Sequence, residues 1–141
     1  MNIVLLILSF FAGKTNYCKC ADYAGMDEKK YSQYQVIFTG KGEKIETTQL
    51  GQTIVFKIDK YYKALRSDTM ITIHTGTSSC DNYHPKAGEE WLIYADHYEN
   101  ILSIAFCSPS TNLDPNHPDF WKSHLKTDLI FLETKRKELT N

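Results

Sequence analysis

Arginine is scarce in this chain of 141 residues, which contains it only at Arg66 and Arg136. The basic residues, 16 Lys and Arg, nearly balance the 17 Asp and Glu, so the formal net charge at pH 7 is −1. A near-neutral chain has no long-range field with which to attract nucleic acid or anionic lipid. We therefore expect no nucleic-acid partner, although nine tyrosines supply the aromatic rings on which nucleic-acid bases can stack.

The chain also lacks the short motifs of common catalytic and metal sites. It has no His-Glu-x-x-His sequence, no nucleotide-binding or calcium-binding loop and no Ser-His-Asp order. Its acidic pairs, such as Glu89 with Glu90, lie at predicted turns, where carboxylates are solvated. The histidines show no metal-ligand spacing and are interpreted as surface or capping residues: His74, His84, His97, His117 and His124. We expect a protein that is not an enzyme and has no cofactor or metal of its own, with a secreted hydrolase as the alternative.

Long apolar runs are also missing. The run at residues 3–12 has about the length of the hydrophobic region of a signal peptide and is too short to cross a bilayer core of roughly 30 Å. We expect residues 1–15 to be a removed signal peptide, with the cut between residues 13 and 17. The mature protein would then be secreted, extracellular or periplasmic, without a transmembrane segment. The alternative is that this run is a buried strand or helix of the domain.

Four cysteines form an even set after the apolar leader: Cys18, Cys20, Cys80 and Cys107. In an exported protein this pattern favours two disulfides over a zinc site. Cys18 and Cys20 are separated by one residue and do not easily bond to each other, so each is expected to reach a distant cysteine. At 42% apolar content the chain can form one core but not two, and these bonds would fix its start to that single domain.

Alternating apolar residues predict a mainly β fold. Ile54, Phe56 and Ile58 lie on one face of a strand predicted at residues 52–62. Other strands are predicted at residues 34–39 with a possible continuation past a glycine bend at 40–42, and at 69–75, 91–95 and 101–107, the last with Leu102, Ile104 and Phe106 facing the core. A short helix is predicted at residues 26–34. Five strands joined by turns fit a small antiparallel barrel or sandwich, and we expect a five-stranded Greek-key barrel.

The last part of the chain changes character after Cys107. Residues 108–118 contain three prolines and are predicted to be a linker or an irregular surface loop. A helix is predicted at residues 119–139, with an apolar stripe expected to pack on the barrel; a partner-binding or membrane-surface helix is the alternative. The stripe consists of Trp121, Leu125, Leu129 and Leu132. We therefore divide the mature chain into a domain at residues 18–113 and a linker with its helix at residues 114–141.

Five short sequence features follow one another along the chain in a characteristic order. They are Cys18-x-Cys20 at the start of the mature domain, a strand ending in Phe38-Thr39-Gly40, residues 71–75 followed by a small-residue loop into Cys80, Trp91-Leu92-Ile93-Tyr94-Ala95, and a strand closing on Cys107. Together they resemble the N-terminal domain of the tissue inhibitors of metalloproteinases and, more broadly, the netrin-like module, in a stand-alone, single-domain form. The resemblance covers roughly residues 18–114.

The resemblance implies an OB-type barrel, which has the same number of strands as the sequence predicts. It also implies the bonds Cys18–Cys80 and Cys20–Cys107, one of the three possible pairings of four cysteines. On the loop-entropy model each bond would stabilise the fold by roughly 4 kcal/mol.

The resemblance further implies that this protein inhibits zinc metalloproteases through its N-terminal edge. If Cys18 is the mature N-terminus, its α-amine and carbonyl oxygen would bind the catalytic zinc of the protease. Lys19 would enter the pocket beside the metal, and the other side of the cleft would be filled by a loop that the cysteines hold in place, Ser78-Ser79-Cys80. Cys20 completes this edge. The alternative is a netrin-like module of the envelope or matrix that binds another extracellular protein or a glycan and leaves proteases alone.

Overall fold

The computed structural model describes residues 20–64, 67–76, 84–118 and 122–141. The elements in these ranges are α1 (Glu28–Gln33), β1 (Val36–Thr48), β2 (Gly51–Lys63), β3 (Met70–Thr75), β4 (Glu90–Tyr98), β5 (Ile101–Ser103), β6 (Thr111–Asn112), a 3-10 turn (Lys122–His124) and α2 (Leu125–Thr140). The fold is mainly β, with a short N-terminal helix and a longer C-terminal helix. Within these ranges, no helix has the length and apolar character needed to cross a membrane.

Strands β1 to β5 form a closed barrel. Their spatial order is β1-β2-β3-β5-β4, and β4 pairs again with β1. All of these pairings are antiparallel except that of β3 with β5, which run parallel and meet at His74 and Ser103. The prediction of a small five-stranded barrel followed by a C-terminal helix is confirmed.

Strand β1 passes through the glycine bend and continues to Thr48, as the sequence allowed. Its register against β2 shifts between Thr39 and Gly40 and again after Gly42. A Cβ atom at Gly40 would lie 2.7 Å from the carbonyl oxygen of Lys57, so glycine is required for the two strands to approach this closely. Such irregularities bend a strand and increase its twist, which helps a small barrel to close.

The barrel interior is filled by side chains that alternate along the strands. Ile54 and Phe56 of β2 are fully buried, and the rings of Phe38 and Phe56 meet edge to face with centroids 5.6 Å apart. Ile58, on the same face of β2, is partly buried against this cluster. The buried members of the interior cluster are Val36, Phe38, Ile54, Phe56, Ile71, Ile73, Trp91, Ile93, Ala95, Leu102 and Ile104.

A second core lies between the outside of the barrel and the helices. Its buried members are Met26, Ile37, Tyr62, Leu92, Tyr94 and Leu132. From α2, Leu125 and Leu129 are partly buried against this cluster and Leu132 is fully buried in it. The predicted packing of the helix stripe on the barrel is confirmed for these three leucines, whereas Trp121 lies outside the described residues.

Strand β5 is shorter than the sequence predicts, since it ends at Ser103 and not at Cys107. Leu102 and Ile104 are buried as expected, but Phe106 is 48% exposed, so the prediction of Phe106 as a core residue is wrong. Apolar and small residues continue to alternate in the sequence up to Cys107. Strand β5, however, pairs with β4 at only three residue pairs. The chain then turns at Cys107, whose backbone is left-handed with φ 62°, and crosses towards another part of β4.

Residues 108–118 are not simply a linker or surface loop, because their first part is buried against β4. Ser110 is fully buried and Ser108 nearly so. The backbone N–H of Tyr94 donates to the Ser110 hydroxyl at 2.9 Å, and the Ser108 hydroxyl donates to the Tyr94 carbonyl at 3.1 Å. Strand β6 then pairs with Trp91 and Leu92. The prediction failed because the serines, which are typical loop residues, here satisfy the backbone of a buried strand.

Both helices are shorter than predicted. Helix α1 begins after Asp27, whose side chain accepts a hydrogen bond from the backbone N–H of Lys30 at 2.8 Å and so caps the helix. The regular part of α2 begins only at Leu125, after the 3-10 turn, and residues 119–121 of the predicted helix lie outside the described residues.

Candidate functional site

Most of the predicted inhibitory edge falls outside the described residues. This applies to Cys18, Lys19, Ser78, Ser79 and Cys80. The bond between Cys18 and Cys80 therefore stays a prediction. The structure does describe Cys20 and the residues that follow it, and these fix the point at which the edge would join the barrel.

Cys20 is bonded to Cys107, the pairing that the resemblance implies for these two residues. Their Cα atoms lie 5.4 Å apart although they are separated by 87 residues in sequence. Cys107 lies in the turn that follows β5. The disulfide therefore attaches the first described residue to the chain just after the fifth barrel strand.

A buried carboxylate holds the N-terminal segment, residues 20–26, against α2. The hydroxyl of Tyr23 donates to Asp128 Oδ2 at 2.5 Å, and the backbone N–H of Met26 donates to Asp128 Oδ1 at 2.8 Å. Asp128 is only 4% exposed, and the ring of His124, on the preceding turn, meets the Tyr23 ring edge to face. One side chain of the C-terminal helix thus makes two charge-assisted hydrogen bonds with the start of the domain.

The backbone at Gly25 allows this arrangement. Its φ of +94° is a conformation that residues with a Cβ rarely adopt, and a Cβ built there would lie 3.4 Å from Asp128 Oδ1. The turn at Gly25 directs the N–H of Met26 to the carboxylate. Residues 20–26 are thus held by one covalent bond and by two hydrogen bonds.

Tyr23 of this segment packs in the second core together with Tyr34 and Tyr94. Burial and the hydrogen bond to Asp128 raise the pKa of Tyr23 far above its usual range. Burial likewise raises the pKa of Tyr94, and it raises the pKa of Tyr34 to about 12. The rings of Tyr34 and Tyr94 lie 5.3 Å apart. These phenols therefore stay protonated to a higher pH than exposed tyrosines do.

An open cleft of about 480 Å³ lies beside the disulfide, between the N-terminal segment and α1. Two of its charged groups are paired: Lys30 forms a 2.7 Å ion pair with Asp27, and hydrogen bonds from Lys30 hold the pKa of the Asp27 carboxyl below its usual range. The full lining is Ala21, Asp22, Tyr23, Asp27, Lys29, Lys30, Gln33, Tyr34, Cys107 and Pro109. These groups can bind a polar partner surface, but they include no activated nucleophile or dry acid–base pair.

Among the described residues, no group of three or more His, Cys, Asp or Glu side chains is placed to hold a metal ion. Glu89 and Glu90 were expected to be solvated residues of a turn, but Glu90 is the exposed first residue of β4 and Glu89 is partly buried. Glu89 accepts hydrogen bonds from the backbone of Lys86 at 2.8 Å and from the indole N–H of Trp91 at 3.1 Å. Its carboxylate therefore fixes the start of β4.

The sequence interpretation missed Asp128, although a signal for it was present. Asp128 lies three residues after Leu125 and four before Leu132, so it falls within the apolar stripe of the helix. A carboxylate on a buried face needs hydrogen-bond donors from elsewhere in the chain. The sequence did not indicate that Tyr23 and the N–H of Met26 would be those donors.

No protein-family model matches this chain, and no curated protein sequence matches it.

Proposed function

We propose that this chain is an exported binding protein, similar to the inhibitory domain of the tissue inhibitors of metalloproteinases, that occupies the cleft of a zinc metalloprotease. The binding edge would consist of Cys18, Lys19 and Cys20 together with Ser78-Ser79-Cys80. The observation that carries this proposal is the rigid attachment of residues 20–26 through Cys107 and Asp128. A segment fixed in this way presents the residues before it at low ordering cost, which favours binding.

The connectivity of the barrel supports the same proposal. An OB-type Greek-key barrel has five strands, and here five strands close in the order β1-β2-β3-β5-β4 with a single parallel contact between β3 and β5. Residues 20–26 lie on the outside of this barrel, against α2, and therefore leave the barrel interior filled by its own side chains. We infer that binding occurs at the N-terminal edge and not within the barrel.

The chemistry of the proposed site requires a free N-terminus at Cys18. The α-amine and the carbonyl oxygen of that residue would coordinate the protease zinc at the position where water is otherwise activated. Any residue before Cys18 would convert the amine to an amide and crowd the metal. Lys19 would place an ammonium group in the adjacent pocket, where its desolvation is costly without a carboxylate partner.

The test uses the exported, oxidised protein with its N-terminus determined by mass spectrometry. A mature chain that begins at Cys18 should inhibit at least one zinc metalloprotease of a broad panel at a one-to-one ratio. A matched variant with one alanine added before Cys18 should lose inhibition, and Lys19→Ser should inhibit more strongly. Lys126→Ala, an exposed change on α2, serves as the control that leaves inhibition unchanged.

Two results would contradict the proposal. A mature chain that begins before Cys18 would remove direct zinc binding. A folded, oxidised protein that inhibits no member of the panel would favour the netrin-like module that binds another extracellular partner.

A further inference from the structure

The disulfide between Cys20 and Cys107 is accessible from the side of Cys107. Both residues are partly buried, but Cys107 lines the open cleft of about 480 Å³ between the N-terminal segment and α1, whereas Cys20 is not among its described lining residues. Ala105 and Phe106, which lead into Cys107, are both exposed. Because thiol–disulfide exchange depends on which sulfur a thiol can reach, an attack through this cleft falls on Cys107.

The backbone at Cys107 favours opening of the bond. Its φ of 62° is a left-handed conformation that residues with a Cβ seldom adopt, and it lies in a turn closed by the N–H of Ser108, which donates to the carbonyl of Ala105 at 3.0 Å. A backbone strained in this way persists only while its surroundings hold it. The bond to Cys20 is one of these restraints, so breaking it lets the turn relax.

The cleft beside the bond offers charges of both signs. Lys30 and Asp27 pair with each other, but Lys29 and Asp22 are exposed and, within the described part of the chain, have no ion-pair partner. One ammonium group and one carboxylate in the cleft are thus available to a ligand. A small peptide with carboxylates and an amino group of its own is complementary to this arrangement.

We propose that Cys107 is a site of reversible modification by a small thiol peptide of the glutathione type. The thiolate of the peptide attacks Sγ of Cys107 and forms a new S–S bond, while the bond to Cys20 breaks. The sulfur of Cys20 leaves with the electron pair and takes up the proton that the peptide thiol released. One disulfide is exchanged for another, so the step needs no further oxidant or reductant. The carboxylates of the peptide then lie by Lys29, and its amino group lies by Asp22.

The contacts of Asp128 keep the modification local. Its hydrogen bonds from Tyr23 and from the N–H of Met26 do not involve the disulfide, so they persist after the exchange. Only the part of the segment before Tyr23 is released, and the Cys20 thiol stays close to the mixed disulfide. That thiol can attack in turn and restore the original bond. The start of the domain is thus loosened without unfolding of the barrel, whether or not the protein inhibits a protease.

The first test uses the full chain with Cys20→Ser, which keeps the Cys107 thiol and removes the group that would displace the adduct. The variant is equilibrated with mixtures of reduced and oxidised glutathione, and mass spectrometry with peptide mapping measures the fraction of Cys107 that carries glutathione. Cys107→Ser reports on Cys20 in the same way. The equilibrium constant for adduct formation should be about fivefold or more larger at Cys107, because only that site holds the peptide in the cleft.

Charge reversal tests the contribution of the cleft. Lys29→Glu, added to Cys20→Ser, should lower the equilibrium constant for glutathione about threefold or more. It should leave unchanged the constant for 2-mercaptoethanol, a thiol without charged groups, measured with its own disulfide. Lys126→Glu, at an exposed position on α2, makes the same change in net charge and is the matched control that should alter neither constant.

The oxidised wild type provides a measurement that does not depend on the folding of cysteine variants. It is treated with excess reduced glutathione, quenched with acid at early times and mapped, and far-ultraviolet circular dichroism follows the fold. The first adduct should be on Cys107, with Cys20 as a free thiol and the barrel signal retained. Mapping distinguishes this bond from the one predicted between Cys18 and Cys80.

Several outcomes would overturn the proposal. They are the absence of any adduct on Cys107, adducts chiefly on Cys20, and equal constants at the two cysteines. Equal effects of Lys29→Glu and Lys126→Glu would show that the cleft does not hold the peptide. Loss of the circular dichroism signal as the adduct forms would show that the bond reacts only in an unfolded chain.

Discussion

The carboxylate of Asp128 is the group whose removal should most directly loosen the N-terminal segment. It accepts hydrogen bonds from Tyr23 and from the backbone of Met26, which lie 105 and 102 residues away in sequence. The substitution Asp128→Ala removes both acceptors. It also leaves the N–H of Met26 without its partner in a buried position, and a buried unpaired donor is itself costly.

The size of the effect follows from the two bonds. Hydrogen bonds to a charged group contribute about 1.5–3 kcal/mol each, so the gross loss is about 3–6 kcal/mol. Burying a carboxylate costs free energy that the alanine variant recovers, and we therefore expect a net loss of about 3 kcal/mol. For a domain of this size that loss corresponds to a decrease in Tm of roughly 10 °C.

Urea unfolding at pH 7, followed by far-ultraviolet circular dichroism, measures this loss. Tyr23→Phe removes one bond and should cost about 1–2 kcal/mol, and the double variant with Asp128→Ala should cost less than the sum of the two single variants. Asp22→Ala, which removes an exposed carboxylate from the same segment, is the matched control and should change stability by less than about 0.5 kcal/mol. A loss below about 1 kcal/mol for Asp128→Ala, or strict additivity with Tyr23→Phe, would refute the account of this contact.

Two further predictions concern pH and backbone. Burial raises the pKa values of Tyr23, Tyr34 and Tyr94 above that of an unfolded tyrosine, so the folded state holds these protons more tightly. The stability that they contribute is complete below pH 10 and is lost as the pH rises further, by at most about 1.4 kcal/mol per pH unit for each tyrosine. Absorbance at 295 nm should show these three tyrosines ionising above the others or only on unfolding, and ionisation of all nine near pH 10 in the folded protein would contradict this. Gly51→Ala would place a Cβ well inside van der Waals distance of the carbonyl oxygen of Thr75 and should cost more than about 2 kcal/mol, whereas Gly88→Ala, also at a positive φ but with open space around it, should cost only about 1 kcal/mol in the same urea assay.

The strands were predictable where burial alternates with the period of two residues. In β2 the alternation of Ile54 and Phe56 indicated both the element and its inner face, because one face of a barrel strand must be apolar. The same rule failed at Phe106. Alternation continues there in the sequence, but a strand also needs a partner, and β4 provides one only as far as Ser103.

The N-terminal site was predictable only in part. Because Cys18 and Cys20 do not easily bond to each other, the sequence predicted a long-range disulfide for Cys20, and the resemblance implied Cys107 as its partner. The contact of Tyr23 with Asp128 joins two groups that are each common in exposed positions. Their pairing depends on the direction in which α2 crosses the barrel, and no local pattern encodes that direction.

Periodicity over a few neighbouring residues was enough to predict the mainly β fold, the inner face of β2 and the apolar stripe of α2. Tertiary contacts alone place Ser108 and Ser110 against the backbone of Tyr94 and bring Asp128 to the N-terminal segment. These features depend on which distant backbone groups meet, and that outcome is set by closure of the whole barrel.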